Sequence, residues 1–169
     1  ATDEIVKYDG MGQAKLVRSG QVSSSELVEA AIARIEKINP VLNAVVHKLY
    51  DEGRAAAKAP LPDGPFTGVP YLIKDLSELE GAPLTYGSKL FEHNVADTDN
   101  GSVERAKQAG LVIIGKTNTP EFGFISTTES QLLGAARNPY NTAYHTGGSS
   151  GGAAAAVAAG LVPFAHASD

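Results

Sequence analysis

Cysteine is absent from this 169-residue sequence, and basic residues are few. Without cysteine the chain can form neither disulfides nor thiolate metal sites, so a cytoplasmic, reducing compartment is permitted. The 14 Lys and Arg residues stand against 19 Asp and Glu, which gives a formal net charge of −5. Because nucleic acids and anionic membranes attract clustered basic residues, we expect neither of them as a partner.

Long apolar runs are missing as well. The longest, residues 153–165, is too short to span a bilayer and is interrupted by Gly160 and Pro163. The first four residues lack the basic and then apolar order of a signal peptide, so we expect a cytoplasmic protein. What remains is an ordinary globular composition, 43% hydrophobic and 20% charged, at a length that suits one compact unit.

Helical and strand patterns alternate along the chain. Ser23 and Glu26 form a capping-box pattern, and apolar residues then recur at helical spacing until Asn39–Pro40 ends the pattern. Further helices are predicted at residues 11–18, from about 49 to 59 and at 101–110. Strands are predicted at residues 43–49, 68–76 and 111–114, of which the last two are expected to be buried. This alternation of helices and strands indicates an α/β sheet.

A lysine, Lys74, stands near the end of the predicted strand 68–76. A charged amine in a buried strand is unfavourable unless a carboxylate pairs with it or it gives up its proton. The spacing alone leaves two interpretations open. Lys74 is either a structural partner of a carboxylate near Asp75, or a neutral lysine that can act as a base.

A glycine-rich loop at residues 147–152 contains two serines and runs directly into the alanine-rich segment 153–159. Alanine is the strongest helix former, so the sequence predicts a loop followed at once by a helix. The free N–H groups of a helix N-terminus favour negative charge beside these serines. A flexible linker is the alternative, but a linker would not be followed by an apolar helix.

Two short segments match motifs of other protein classes, and the neighbouring residues decide whether each match is meaningful. Residues 110–117 match the phosphate-binding pattern G-x-x-x-x-G-K-[ST], but their central residues form a β-branched strand, which argues against a nucleotide loop.

Residues 147–151 fit the G-x-S-x-G elbow of α/β-hydrolases, for which His145 or His166 could serve as the base. The elbow needs a strand directly before its serine, and residues 137–146 are polar and turn-forming. The Ser-His-Asp alternative is therefore weakened and stays open.

Four segments resemble, in the same order, the amidase-signature family; they are residues 68–75, 115–122, 137–139 and 147–152. The resemblance extends over nearly the whole chain. Residues 70–76 and 164–169 are similar to the aminohexanoate cyclic-dimer hydrolase branch of this family. The resemblance implies an α/β fold, the N-terminal part of the amidase-signature fold, with a mixed β-sheet core covered by helices on both faces. Residues 1–169 would form the N-terminal portion of one such domain.

The resemblance also implies an amide hydrolase that works through a Ser-Ser-Lys triad and an acyl-enzyme. Lys74 would be the base, Ser149 the bridging serine after a cis peptide bond from Gly148, and Ser150 a supporting hydrogen-bond partner. The family implies no metal and no other cofactor. Three residues would approach the substrate: Gly123, Phe124 and Ser126.

In the family the acylated serine lies in a short sequence motif just after the helix that follows the glycine-rich loop. Ser168–Asp169 would be the first residues of that motif. We therefore expect the nucleophile and the oxyanion-hole amides outside residues 1–169, in the remaining C-terminal part of the enzyme or in a completing chain. Further expected partners are a small-molecule amide and a second copy in a homodimer. Two other functions stay open: an amidotransferase A-type glutaminase subunit of a transamidase, and a non-catalytic anion-binding domain.

Overall fold

The computed structural model describes residues 2–168, with side chains from residue 4 onward. In chain order the elements are α1 (Thr2–Ile5), α2 (Gly10–Arg18), α3 (Ser24–Leu42), β1 (Val45–Lys48), α4 (Tyr50–Lys58), β2 (Pro70–Lys74), α5 (Gly101–Gln108), β3 (Val112–Thr117), β4 (Glu129–Ser130), β5 (Gly134–Ala135) and α6 (Gly151–Ala158). Short 3₁₀ turns occupy Lys89–Phe91 and Glu121–Gly123. The predicted helices and strands are present within a few residues of their expected limits.

Helix α3 begins where the capping box predicts. Ser23 Oγ accepts the Glu26 N–H at 3.2 Å, and the Glu26 carboxylate accepts the Ser23 N–H at 2.8 Å. The prediction that Asn39–Pro40 ends this helix is wrong, because the helix continues to Leu42. Proline lacks one N–H, but the last turn stays closed by the Asn43 N–H, which donates to the Asn39 carbonyl at 2.7 Å. The helix ends only at Asn43, which has left-handed backbone geometry.

A three-stranded mixed sheet lies at the centre, in the order β1-β3-β2. Strand β3 is antiparallel to β1 and parallel to β2. On the outer side of β2, Leu72 forms a parallel bridge with Ala165, so the segment after α6 runs beside the strand that carries Lys74. Strand β3 extends to Thr117, three residues beyond its predicted end.

Helices cover both faces of this sheet, as the family resemblance implies. On one face, Leu72 and Ile114 pack with apolar residues of α3 and α6. On the other face, Ile73 and Ile113 pack with Val103 of α5. Within residues 2–168, no helix has both the length and the apolar character that crossing a bilayer requires.

Strand β3 carries one residue more than the matching part of β2. Tyr71 pairs with Ile113, whereas Leu72, the next residue, pairs with Gly115. Because side chains alternate between faces, the unmatched residue reverses the face to which the following β3 residues point. Lys116 consequently points to the same face as Ile113, which is the face opposite to that of Leu72.

Candidate active site

The glycine-rich loop brings the start of α6 into close contact with the end of the sheet. A Cβ atom at Gly151 would lie 2.2 Å from the hydroxyls of Thr128 and Thr146, and one at Gly152 would lie 2.3 Å from the backbone nitrogen of Asn118. Distances this short exclude any side chain larger than hydrogen. The two glycines therefore allow the preceding serines to reach the end of β2.

Three hydroxyls surround the amine of Lys74, which is fully buried at 0% exposure. Lys74 Nζ lies 2.7 Å from Ser149 Oγ, 3.1 Å from Ser150 Oγ and 3.1 Å from Ser168 Oγ. The Gly148–Ser149 peptide bond is cis, as the family resemblance implies. We call Lys74, Ser149, Ser150 and Ser168 the hydroxyl cluster. Its distances are those of ordinary hydrogen bonds, which is the contact that proton transfer between side chains requires.

Ser168 is the member of this cluster that the sequence did not predict as a contact. Its N–H donates to Ser150 Oγ at 3.1 Å, and Ser150 Oγ donates to the Ser168 carbonyl at 2.9 Å. These bonds hold the segment after α6 against the start of the same helix. The sequence feature that could have indicated this contact is the position of Ser168 at the start of the segment that carries the nucleophile in the family.

Asp75, the residue after Lys74, has a carboxylate that binds three groups. Asp75 Oδ1 lies 2.9 Å from Lys116 Nζ, and Asp75 Oδ2 lies 2.9 Å from His47 Nε2. Thr85 Oγ1 also donates to Asp75 Oδ2. Asp75 and Lys116 are both fully buried, so this is a buried ion pair.

The environment of this ion pair keeps the carboxylate charged. Burial alone would raise the pKa of Asp75, but the hydrogen bond from His47 and the charge of Lys116 outweigh it and hold that pKa below its ordinary value. Burial lowers the pKa of Lys116, and the Asp75 carboxylate opposes this effect. Lys116 Nζ also donates to the Pro83 carbonyl at 2.6 Å. Lys116 thus belongs to a structural network on β3, and residues 110–117 form no phosphate loop.

The two histidines of the Ser-His-Asp alternative lie in other hydrogen-bonding environments. His145 Nδ1 accepts the Gly147 N–H at 2.9 Å. Burial and then the neighbouring Lys74 lower the pKa of His166, which favours its neutral form. Within residues 2–168, neither imidazole hydrogen-bonds to Ser149 or Ser150, and no strand directly precedes the glycine loop.

Two of the three residues predicted to approach the substrate, Gly123 and Ser126, lie beside the serine loop. A Cβ atom at Gly123 would lie 3.6 Å from Ser149 Oγ, and the backbone of Ser126 lies 3.0 Å from the position of a Cβ at Gly148. Phe124 is 85% exposed next to Gly123. The structure thus brings Gly123 and Ser126 into contact with the serine loop and leaves the Phe124 ring facing solvent.

Aromatic side chains from distant parts of the sequence gather beside Gly123. The Phe122 ring lies 6.2 Å from Tyr86, 6.0 Å from Phe91 and 6.3 Å from Phe124, measured between ring centroids. We call these four residues the aromatic wall. Only Phe124 was predicted from the sequence. No cluster of His, Asp and Glu side chains suited to a metal ion occurs in the part of the chain that the structure describes.

Comparison with known proteins gives one consistent result. Residues 26–169 match the family model described as Amidase. A 6-aminohexanoate-cyclic-dimer hydrolase of Paenarthrobacter ureafaciens is 47% identical over 164 residues, which cover 95% of this chain and 33% of that protein. An acylamidase of Rhodococcus erythropolis is 41% identical, with 90% of this chain and 34% of that protein covered.

The solved structures agree with these sequence matches. A structure of 6-aminohexanoate cyclic dimer hydrolase aligns with a TM-score of 0.91 at 46% identity, and the alignment covers 96% of this chain and 34% of that chain. The chain therefore spans about a third of the length of the curated relatives that it matches.

Proposed function

This chain belongs to the amidase family, and from that premise we propose that its protein hydrolyses carbon–nitrogen bonds in linear or cyclic amides through a Ser-Ser-Lys triad. The observation that carries the proposal is the 2.7 Å contact between Lys74 Nζ and Ser149 Oγ. The names of the relatives, a cyclic-dimer hydrolase and an acylamidase, support amides as the substrate class.

In the proposed mechanism, Lys74 and Ser149 form a proton relay. A neutral Lys74 amine takes the Ser149 proton while Ser149 takes the proton of a nucleophilic serine, whose oxygen attacks the amide carbon. The relay then returns a proton to the leaving nitrogen, and the C–N bond breaks to give an acyl-enzyme and a free amine. Water repeats the sequence and releases the acid. Ser150, 3.1 Å from Lys74 Nζ, would hold the amine in line with Ser149.

We place the nucleophilic serine and the oxyanion hole beyond residue 169. The relatives are about three times as long as the matched region, so a large part of such an enzyme lies outside these residues. In this arrangement residues 1–169 supply the base, the bridging serine and one side of the substrate site. The substrate would lie against Gly123, Ser126 and the exposed ring of Phe124.

The test uses the full-length protein with the 6-aminohexanoate cyclic dimer and with acetanilide. Lys74→Ala is expected to lower kcat by about a hundredfold to ten-thousandfold, because general acid–base catalysis contributes about 10² to 10⁴. Ser149→Ala is expected to be more damaging than Ser150→Ala, since Ser149 bridges the relay. A matched control is Lys48→Ala, which removes a surface lysine that pairs with Glu36.

A fluorophosphonate probe locates the nucleophile independently. We expect the covalent adduct, mapped by mass spectrometry, on a serine beyond residue 169. An adduct on Ser149 or Ser150, or a wild-type rate in Lys74→Ala, would contradict the proposed relay. Ammonia release from glutamine that depends on a stable partner subunit would instead favour the amidotransferase alternative.

A further inference from the structure

The buried Asp75 carboxylate is attached to the loop that follows β2 as well as to the sheet. Thr85 is fully enclosed at 1% exposure, and its hydroxyl donates to Asp75 Oδ2 while its N–H donates to Asp75 Oδ1 at 3.3 Å. The same hydroxyl accepts the Gly87 N–H at 3.2 Å. Residues 83–88, which we call the support loop, are therefore fastened to an ionised group, and such bonds are stronger than neutral ones.

The support loop in turn holds the aromatic wall. The Tyr86 carbonyl accepts the Phe122 N–H at 2.8 Å. Tyr86 and Phe122 both have positive φ, 52° and 53°, a geometry that residues other than glycine adopt only where their surroundings enforce it. A second bond connects the same two segments, since Ser88 Oγ donates to the Glu121 carboxylate at 2.6 Å.

Gly87 brings these two segments into direct contact. A Cβ atom at Gly87 would lie 2.8 Å from the Thr119 carbonyl oxygen, so the support loop lies directly on the backbone that leads to Phe122. A shift of the loop must therefore move this backbone and the wall with it. The wall is one residue from Gly123, which borders Ser149.

We propose that Thr85 is a positioning residue that sets the preference of the site for amides with an aromatic or other apolar substituent. The proposal rests on the proposed function. Thr85 connects the buried carboxylate to Tyr86 and so to Phe122, whereas Lys74 is held by β2 and by the three serine hydroxyls of the cluster. Loss of the Thr85 hydroxyl therefore displaces the wall more than the relay. Binding of the apolar substituent weakens, and the chemical step is largely kept.

The test compares Thr85→Val with wild type in the full-length protein. Valine has nearly the shape of threonine and lacks the hydroxyl. Three substrates are used: acetamide, benzamide with an aromatic acyl group, and acetanilide with an aromatic amine. We expect kcat/KM for at least one aromatic amide to fall about fivefold to tenfold, mainly through KM, and that for acetamide to change less than twofold. Thr85→Ser keeps the hydroxyl and is expected to restore the wild-type ratio.

Thr67→Val is the matched control. The Thr67 hydroxyl accepts the Gly64 N–H at 2.9 Å and donates to the Pro62 carbonyl at 2.7 Å, near the end of β2 opposite to Lys74. Its loss removes bonds of the same kind from a loop that does not touch the wall. We expect it to leave the ratio of aromatic to small amides at the wild-type value.

The possible results distinguish a failure of the role of Thr85 from a failure of the proposed amide hydrolysis. Wild-type protein that hydrolyses neither these three amides nor the 6-aminohexanoate cyclic dimer contradicts the proposed function, whereas hydrolysis of the cyclic dimer alone overturns only the role of Thr85. Wild-type turnover combined with an unchanged ratio in Thr85→Val, or with an equal loss for all three amides, overturns the role of Thr85 alone. If Thr85→Val does not fold, Ser88→Ala decides, because it removes the second bond between loop and wall and should shift the ratio in the same direction.

Discussion

Replacing Asp75 by asparagine should destabilise the fold strongly, and a second substitution should recover much of the loss. The Asp75 carboxylate offers two acceptor oxygens to Lys116, His47 and Thr85. An asparagine offers one acceptor and one donor, so at least one of these donors faces another donor. The Lys116 ammonium also stays buried without its counter-charge. Breaking a buried ion pair from one side costs about 3 to 5 kcal/mol.

The double variant Asp75→Asn/Lys116→Met tests this reasoning. Methionine removes the buried charge and fills a similar volume, and exchange of a whole buried pair for neutral groups is often close to neutral. We expect urea unfolding to show a loss of about 3 to 5 kcal/mol for Asp75→Asn and recovery of at least half in the double variant. An unchanged unfolding free energy in Asp75→Asn would refute the reasoning. So would a loss in the double variant that equals the sum of the losses in Asp75→Asn and Lys116→Met.

Three further predictions concern pH, the histidines and the isolated chain. Because the folded state holds the pKa of Asp75 below its ordinary value, this carboxylate contributes stability above its unfolded-state pKa that is lost as pH falls through the folded value; acid titrations of wild type and the double variant should differ in that range. His145→Ala and His166→Ala should each keep kcat within about threefold of wild type, since acid–base catalysis contributes about 10² to 10⁴, and a larger loss in a folded variant would revive the Ser-His-Asp alternative. Residues 1–169 expressed alone should hydrolyse no amide and bind no serine-directed probe; measurable turnover by this piece would mean that the nucleophile lies within it.

The sequence predicted those parts of the fold that depend on residues close together in the chain. The Ser23–Glu26 capping box and the strand that carries Lys74 follow from sequence spacing alone, because both depend on residues that are close together in the chain. The glycine loop was recognisable from its glycines and the alanine run behind it, and the structure shows the reason for two of these glycines, since an added Cβ atom would lie within 2.3 Å of its neighbours. The error at Pro40 arose because proline weakens a last turn without ending it, and Asn43 decides where the helix stops.

The parts that depend on distant residues could not be predicted in this way. Tyr86 and Phe122 lie 36 positions apart, and nothing local in either segment announces their contact. The partner of Asp75 was equally hidden. Two lysines, Lys74 and Lys116, each follow a buried apolar run, and the sequence does not reveal which of them shares a face with the carboxylate.

The unmatched residue in β3 marks the place where that strand could be shortened without turning Lys116 to the other face. Pairing restarts at Leu72 and Gly115, and every later side chain of β3 has exchanged faces. Deleting one residue between Ile113 and Lys116 would leave Lys116 two positions after Ile113 and therefore still on the same face, so the shortened strand should keep the Lys116–Asp75 ion pair. The cost of such a deletion would therefore fall on the apolar packing that Ile114 provides, and not on the amines of the site.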